Sequence, residues 1–439
     1  MAISAAEQYM LELINRARLD PLGEAARHGI DLNQNLSAGQ LHSGPRGVLA
    51  GDAALELAAI GHSQWMLAND IFSHTGVNNT TPAQRAVAAG YTGWGAGENI
   101  SWRGTTGFLN LEAVIGQQHS DLFLSAGHRV NILWDTYREV GIAQEAGQFG
   151  YNGTTYNASM LTQNFSTHGD KFYVTGVVYD DLNGDQFYSI GEGRGGAAFL
   201  TPGDATISAS AGGYALEATE GGSVLVSGTV NGQGFAVRIV VQGINAKLDV
   251  VNGDTVHASA DLTLVSGLNK ALLLGTAALN ATGNRKGNLL DGNEGDNTLS
   301  GLAGKDRLSG HDGNDRLAGG GGGDRLFGGA GDDRLVGEAG SDTLCGDAGN
   351  DTLTGGSSAD CFVFSHAAGD DVITDFSALD ILRLEGSLWG GAVNTASQVV
   401  ADHAQLVAGD VVIDLGQGHS LTLRGLGSLA GLADQIVLI

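Results

Sequence analysis

Seven aspartates, Asp306, Asp315, Asp324, Asp333, Asp342, Asp351 and Asp360, recur every nine residues. Each nine-residue frame opens on a glycine, from Gly283 and Gly292 through Gly301, Gly310, Gly319, Gly328, Gly337 and Gly346 to Gly355. The eighth position is apolar throughout: Leu290, Leu299, Leu308, Leu317, Leu326, Leu335, Leu344, Leu353 and Phe362. Carboxylates repeated at a fixed period suit one chemistry above others, the gathering of several hard oxygens around Ca2+. Glycine supplies the positive φ that a tight turn needs, and one leucine per frame stacks into a continuous apolar ladder. Asn288 and Asn297 hold the sixth position of the first two frames, and this departure weakens the expectation of cation sites there.

A second oxygen-rich stretch lies upstream. Asp181, Asn183, Asp185 and Glu192 fall at positions 1, 3, 5 and 12 of a loop, and Phe187 offers its carbonyl at position 7. That is the ligand spacing of an EF-hand calcium loop. Gln186 stands where glycine is usual and no helix precedes the loop, so it resembles the calcium loops of SdrD B-like (Cna-B-related) repeats. The alternative is a solvated acidic turn.

The elements that position these groups change character along the chain. Residues 1–168 are the least glycine-rich. Helical spacing of apolar residues predicts helices over 5–18, 53–68 and 109–124, and alternation predicts strands over 138–144 and 156–165. The mixture suggests a three-layer α/β/α sandwich. Residues 169–265 break into short β-rich runs separated by Gly, Asn and Asp turns, as in a small β-sandwich. Residues 266–364 hold the nonapeptides, and residues 365–439 form a β-rich C-terminal cap. A cap is needed because the last turn of a ladder would otherwise expose apolar side chains and unpaired strand edges.

The nonapeptides resemble the G-G-x-G-x-D-x-U-x repeat of RTX proteins, which wind into a calcium-loaded parallel β-roll. "FVF", "DVITDF" and "DILRLEG" resemble the end of serralysin-type RTX modules, where Asp371, Asp375 and Asp380 could serve a further calcium. The resemblance implies a Gram-negative protein that leaves through the type I secretion machinery and folds outside the cell in calcium. The terminal "ADQIVLI", an acid followed by apolar residues, resembles an uncleaved type I signal; a last buried strand would read the same way.

In residues 1–168 the strings "HSQWMLANDIFSHTG", "GENI", "GHRVNIL" and "REVGIA", in that order, resemble the CAP superfamily (SCP/PR-1-like) in its bacterial form. The resemblance implies a central cleft lined by His74, Glu98 and His128. In some members the two histidines bind Zn2+ or another divalent ion, and neutral imidazole could alternatively act as a general base. Family clefts often hold a second acid before the GEN string. This sequence has no Asp or Glu from Thr75 through Gly97, and Gln84 or Arg85 stands nearby. A hydrogen-bonded core network would also collect such residues. Ser125, His62 and His119 read as a turn serine and packing histidines, while Tyr91, Trp94 and Trp102 read as cleft walls.

Acids outnumber bases 48 to 22, for a formal charge of −26. This argues against nucleic acid and anionic membrane as partners and for bound cations. The start of the sequence lacks the basic and apolar regions of a secretory signal peptide, and no stretch reaches transmembrane length. Cys345 and Cys361 occupy different frame positions, which disfavours a disulfide. There is no HExxH helix, P-loop or nucleophile elbow. The leading expectation is a secreted calcium-binding protein whose CAP cleft takes an extracellular ligand or partner. The alternatives are a metal-dependent hydrolase, a peptidase or an enzyme acting on cell-envelope material through the His/Glu cleft, and an adhesin or matrix protein.

Overall fold

A computed structural model describes residues 3–365, 369–390, 393 and 395–439. The chain divides into two compact units, residues 1–259 and 260–439.

In the first unit Ser4 caps helix α1 (Ala5–Leu19) through a capping box with Glu7, and Asp20 caps α2 (Pro21–Arg27), whose first residue is proline. Strand β1 (Ala50–Gly51), α3 (Ala53–Asn69), α4 (Pro82–Ala88), β2 (Trp94–Thr105), α5 (Leu111–Leu124), α6 (Ala126–Ile132), β3 (Glu139–Tyr151) and β4 (Thr154–Thr167) follow. The sheet has the order β1-β3-β4-β2. Alternation along β4 assigns the two faces. Leu161 joins Met10, Ile14, Phe123 and Ile132 under α1, α5 and α6, whereas Met160 joins Met66, Ile100 and Phe149 under α3. The three-layer expectation is met. At Gly141 a Cβ would come within 2.0 Å of the Leu55 carbonyl carbon, so glycine there lets α3 lie against the sheet.

Strand β2 was not foreseen in the sequence, nor were the short helices α2, α4 and α6. The glycines in "WGAGENISWRG" hide the alternation of β2, and helices of seven residues carry too little periodicity to read.

Still in the first unit, β5 (Phe172–Tyr179), β6 (Ala198–Leu200), β7 (Ala205–Ile207), β8 (Gly213–Ala218), β9 (Gly222–Val230), β10 (Gln233–Val241), β11 (Ala246–Val251) and β12 (Thr255–Ala258) form two layers, β8-β5-β11-β12 and β7-β6-β9-β10. The first layer is fixed to α1 by buried charge. Lys247 Nζ lies 2.5 Å from Glu12 Oε2 and 2.6 Å from Asp249 Oδ1, and Asp249 also accepts from the Val177 amide.

The second unit is a parallel β-solenoid. Successive strands alternate between two sheets, so partners within a sheet lie eighteen residues apart, as in Leu308↔Leu326↔Leu344 and Leu299↔Leu317↔Leu335. The leucines are fully buried between the sheets. Typical strands span six residues, for example Thr298–Ala303, because pairing resumes after the opening glycine with Leu302↔Gly320. After residue 364 the parallel pairing continues through Phe362↔Leu382↔Ile436 and Leu353↔Ile373↔Leu423. An antiparallel hairpin, Ala404–Val407 with Asp410–Gly416, covers one sheet edge as part of the β-rich C-terminal cap. Cys345 and Cys361 are both free thiols. Among the described residues, no helix is long and apolar enough to cross a membrane.

Candidate functional site

The fold brings His74, Glu98 and His128 together from three elements: the loop before α4, strand β2 and helix α6. Glu98 is almost wholly buried. Its Oε1 lies 2.9 Å from His74 Nδ1, and its Oε2 is held by Arg85 Nη2. Arg85, from α4, also donates to the backbone carbonyls of His74 and Thr80. The His74 and His128 rings lie 6.4 Å apart between centroids. His128 Nδ1 is 2.9 Å from Ser125 Oγ, the residue that precedes α6. Asn131 donates to the Glu98 carbonyl and to Asn99 Oδ1, and Asn99 donates to the His128 carbonyl. Burial lowers the pKa of His128, with a further push from His74, and so favours its neutral form.

This arrangement can present two imidazole Nε2 atoms, since each Nδ1 is already engaged. Zinc fits poorly. The carboxylate that would complete a zinc site is neutralised by a guanidinium, and Arg85 stands in the segment where the expected second acid is missing. Gln84 instead closes the capping box of α4 with Thr81.

Tyr91, Trp94 and Trp102, expected as cleft walls, make other contacts, whereas His62 is the packing histidine expected. Tyr91 donates to Glu139, and Trp102 packs with Phe149, Tyr151 and Tyr156. Trp94 is exposed. His62 is buried, stacked on Trp65, with Nε2 at 2.9 Å from the Ser73 carbonyl and 3.8 Å from Glu98.

His119 belongs to a cluster the sequence did not signal. Among the described residues, Glu24, His28 and His119 are the one set of His, Cys, Asp or Glu side chains with ligand atoms all within 4.8 Å. Yet Glu24 Oε2 accepts from Arg16 and Arg27, at 2.9 and 3.1 Å. Burial opposes ionisation of Glu24, but hydrogen bonds from His119 and Arg16 overrule it and hold the carboxyl below its usual range. Two arginines on the carboxylate leave this a brace between α1, α2 and α5.

In the loop at 181–192, Asp181 accepts from the amides of Gly184, Asp185 and Gln186, and Asp185 accepts from Phe187. Glu192 reaches back to the amides of Leu182 and Ser189. Gln186 takes φ +60° at the position where glycine is usual. The Phe187 ring packs beneath α1, 5.0 Å from the Arg16 guanidinium and 6.2 Å from the Tyr9 ring.

In the solenoid the repeated acids form two columns. Asp306, Asp324, Asp342, Asp360 and Asp380 make one; Asp315, Asp333, Asp351 and Asp371 make the other. Along each, a backbone amide donates to the Oδ1 of the next aspartate. Asp371 and Asp380 thus extend the array in separate columns, while Asp375 accepts from the amides of Gly355 and Gly356. The Oδ2 atoms of Asp306, Asp315, Asp324, Asp333, Asp342 and Asp351 are buried and have no hydrogen-bond partner. Burial raises the pKa of these carboxyls, to about 8 at Asp333. Buried carboxyl oxygens without donors, whose ionisation burial disfavours until a cation is present, are what a cation site looks like before its ion is considered. These residues fit Ca2+.

The chain combines a three-layer domain that gathers His74, Glu98 and His128 with a solenoid of aspartate-bearing nonapeptides. Residues 11–165 match the family described as the cysteine-rich secretory protein family, CAP, and residues 282–317, 291–326, 318–353 and 327–360 match the RTX calcium-binding nonapeptide repeat. The chain therefore carries a CAP domain and RTX calcium-binding repeats. Both cysteines lie outside the CAP match. No curated protein matches the chain. Among solved structures it is similar to an extracellular SCP-domain protein from Bacillus anthracis str. Ames, at 24% identity over 37% of this chain and 40% of that one, with a TM-score of 0.23. It is also similar to the extracellular lipase LipA of Serratia marcescens, at 20% identity over 40% and 41% of the two chains, with a TM-score of 0.21. The chain thus spans about two fifths of the length of each.

Proposed function

We propose that this chain is a secreted, calcium-requiring CAP-domain protein, exported by type I secretion machinery, whose cleft binds an extracellular ligand. The observation that carries the calcium requirement is the set of six buried Oδ2 atoms without donors. RTX repeats accompany export of this kind, and the extracellular concentration of calcium supplies the ion. The ligand aspartates are Asp306, Asp315, Asp324, Asp333, Asp342, Asp351 and Asp360. Asp181, Asn183, Asp185, the Phe187 carbonyl and Glu192 would take a further calcium.

For the cleft, the Arg85–Glu98 pair supports a binding role. With the carboxylate held by Arg85, His74 and His128 offer imidazole hydrogen-bonding edges to a polar ligand. The test is a small-molecule screen of the calcium-saturated protein beside its His74→Ala/His128→Ala variant. Binders lost in the variant support the reading, and a screen with no cleft-dependent binder overturns it. Export is tested by co-expression with a type I apparatus; retention in the cell refutes that part.

One contact favours a second reading. Ser125 Oγ at 2.9 Å from His128 Nδ1 is within reach for proton transfer, as a hydrolase would require. Turnover of any peptide or cell-envelope substrate should then vanish in Ser125→Ala and in the double histidine variant. Unchanged turnover removes this reading.

A further inference from the structure

The first two frames of the roll differ from the rest in side chains and in backbone. Each pairs an asparagine at position 2 with one at position 6: Asn284 with Asn288, and Asn293 with Asn297. Asn288 Oδ1 accepts from the Asn284 amide at 2.9 Å, while its Nδ2 donates to the turn carbonyls of Asn284 and Lys286. Asn297 Oδ1 accepts from the Asn293 amide at 2.8 Å, and its Nδ2 donates to Asn293 Oδ1 at 2.9 Å. Asn293 in turn donates to the carbonyls of Leu274 and Ala277. Neither Asn288 nor Asn297 has an orphaned polar atom, in contrast to the six aspartates that follow.

The turns themselves change as well. Position 2 is left-handed in every later frame through Gly355, including at four residues with side chains, Leu302, His311, Glu338 and Asp347, with φ from 69° to 78°. Such values are unusual outside glycine. Asn284 and Asn293 do not adopt them. The turn of the first frame also bears Arg285 and Lys286, cations that would repel a bound metal.

We propose that the frames opening at Gly283 and Gly292 are closed by their own asparagine amides and take no calcium. The amide nitrogen supplies, as a donor to neighbouring oxygens, the attraction that a cation supplies elsewhere. Calcium occupancy then begins with the aspartates from Asp306 onward. Asp306 Oδ1 already accepts from the Asn288 amide at 2.6 Å and Asp315 Oδ1 from that of Asn297 at 2.7 Å, so each column starts on a metal-free turn. The roll thus carries a preformed end on which the calcium-dependent turns stack. This inference rests on calcium binding by the later frames.

Hydrogen exchange on the full-length protein, in chelator and in saturating calcium, tests it. Amides of residues 283–300 should be protected in both conditions, and those of 306–360 only in calcium. Equal calcium dependence of both stretches overturns the inference while leaving the calcium reading intact. No calcium response in 306–360 overturns both. The Asn288→Asp/Asn297→Asp variant, compared in saturating calcium, should bind more calcium per chain and lose protection of 283–300 in chelator. Unchanged stoichiometry together with unchanged protection overturns the inference.

Discussion

The backbone amide of Asp306 donates to Oδ1 of Asp324, eighteen residues further along, at 2.8 Å, while Oδ2 of Asp324 is buried with no partner. One oxygen of the carboxylate therefore fixes the stacking of two turns, and the other is left for a cation. Coil spacing and metal binding are joined in one side chain, so folding of the roll draws on the free energy of binding.

Replacing Asp324 by Asn should separate these roles. The amide oxygen can keep the bond from Asp306, but a ligand charge is lost. Calcium titration followed by circular dichroism should show a higher midpoint, by about tenfold, with the same folded end point. An unchanged midpoint would mean that this carboxylate binds no ion.

The apolar ladder should fail by cavity formation. Leu326 is fully buried between Leu308 and Leu344, and Leu326→Ala should destabilise the roll by about 2–5 kcal/mol in chemical denaturation at saturating calcium. A loss below about 1 kcal/mol would show that the neighbouring turns collapse into the space.

In the cleft, Arg85→Ala leaves Glu98 buried without its counter-ion and should cost about 3–5 kcal/mol. Arg85→Ala/Glu98→Gln should recover much of that stability, because the uncompensated charge is gone. A double variant no more stable than the single one would show that the cost lies in packing rather than charge. The comparison is made by thermal unfolding in fixed calcium.

The buried Lys247 is predicted to behave similarly. Glu12 and Asp249 are both pushed up by burial, with Lys247 opposing the shift, and Lys247→Met removes that opposition. The unfolding transition of the first unit should fall by roughly 3–5 kcal/mol and become less severe as the pH is lowered to protonate the acids. A transition that does not respond to pH contradicts this account.

Acid should weaken the first unit through its buried histidines. Burial, with Lys247 nearby, lowers the His257 pKa to about 4, and burial lowers His119 and His62 too. Each is neutral when folded and takes up a proton when unfolded. Their stabilising effect is present above about pH 6.5 and declines below it; for His257 the loss runs down to about pH 4 and is on the order of 3 kcal/mol. Thermal unfolding of His257→Phe across this window should be less pH-dependent than wild type, and an identical slope would exclude the histidine.

Legibility differed sharply between the two units. Leu308, Leu326 and Leu344 announce a stacked ladder because every frame repeats its neighbour, and contacts between like frames need no long-range information. Glu98 and His128 could be named only from local strings. The strand and helix that carry them are short or glycine-interrupted, and their periodicity is too weak to read.

The sequence by itself determined the repeat, its apolar ladder, its acidic columns and the α/β/α character of the first domain, since each is written in spacing that local geometry converts directly into structure. Only the tertiary structure decided that Arg85 neutralises Glu98 in the cleft, that Glu24 is held by Arg16, Arg27 and His119, and that Asp371 and Asp380 join different columns. Those outcomes depend on which distant residues meet in a buried environment, where the partner decides whether a charge is a ligand or a brace.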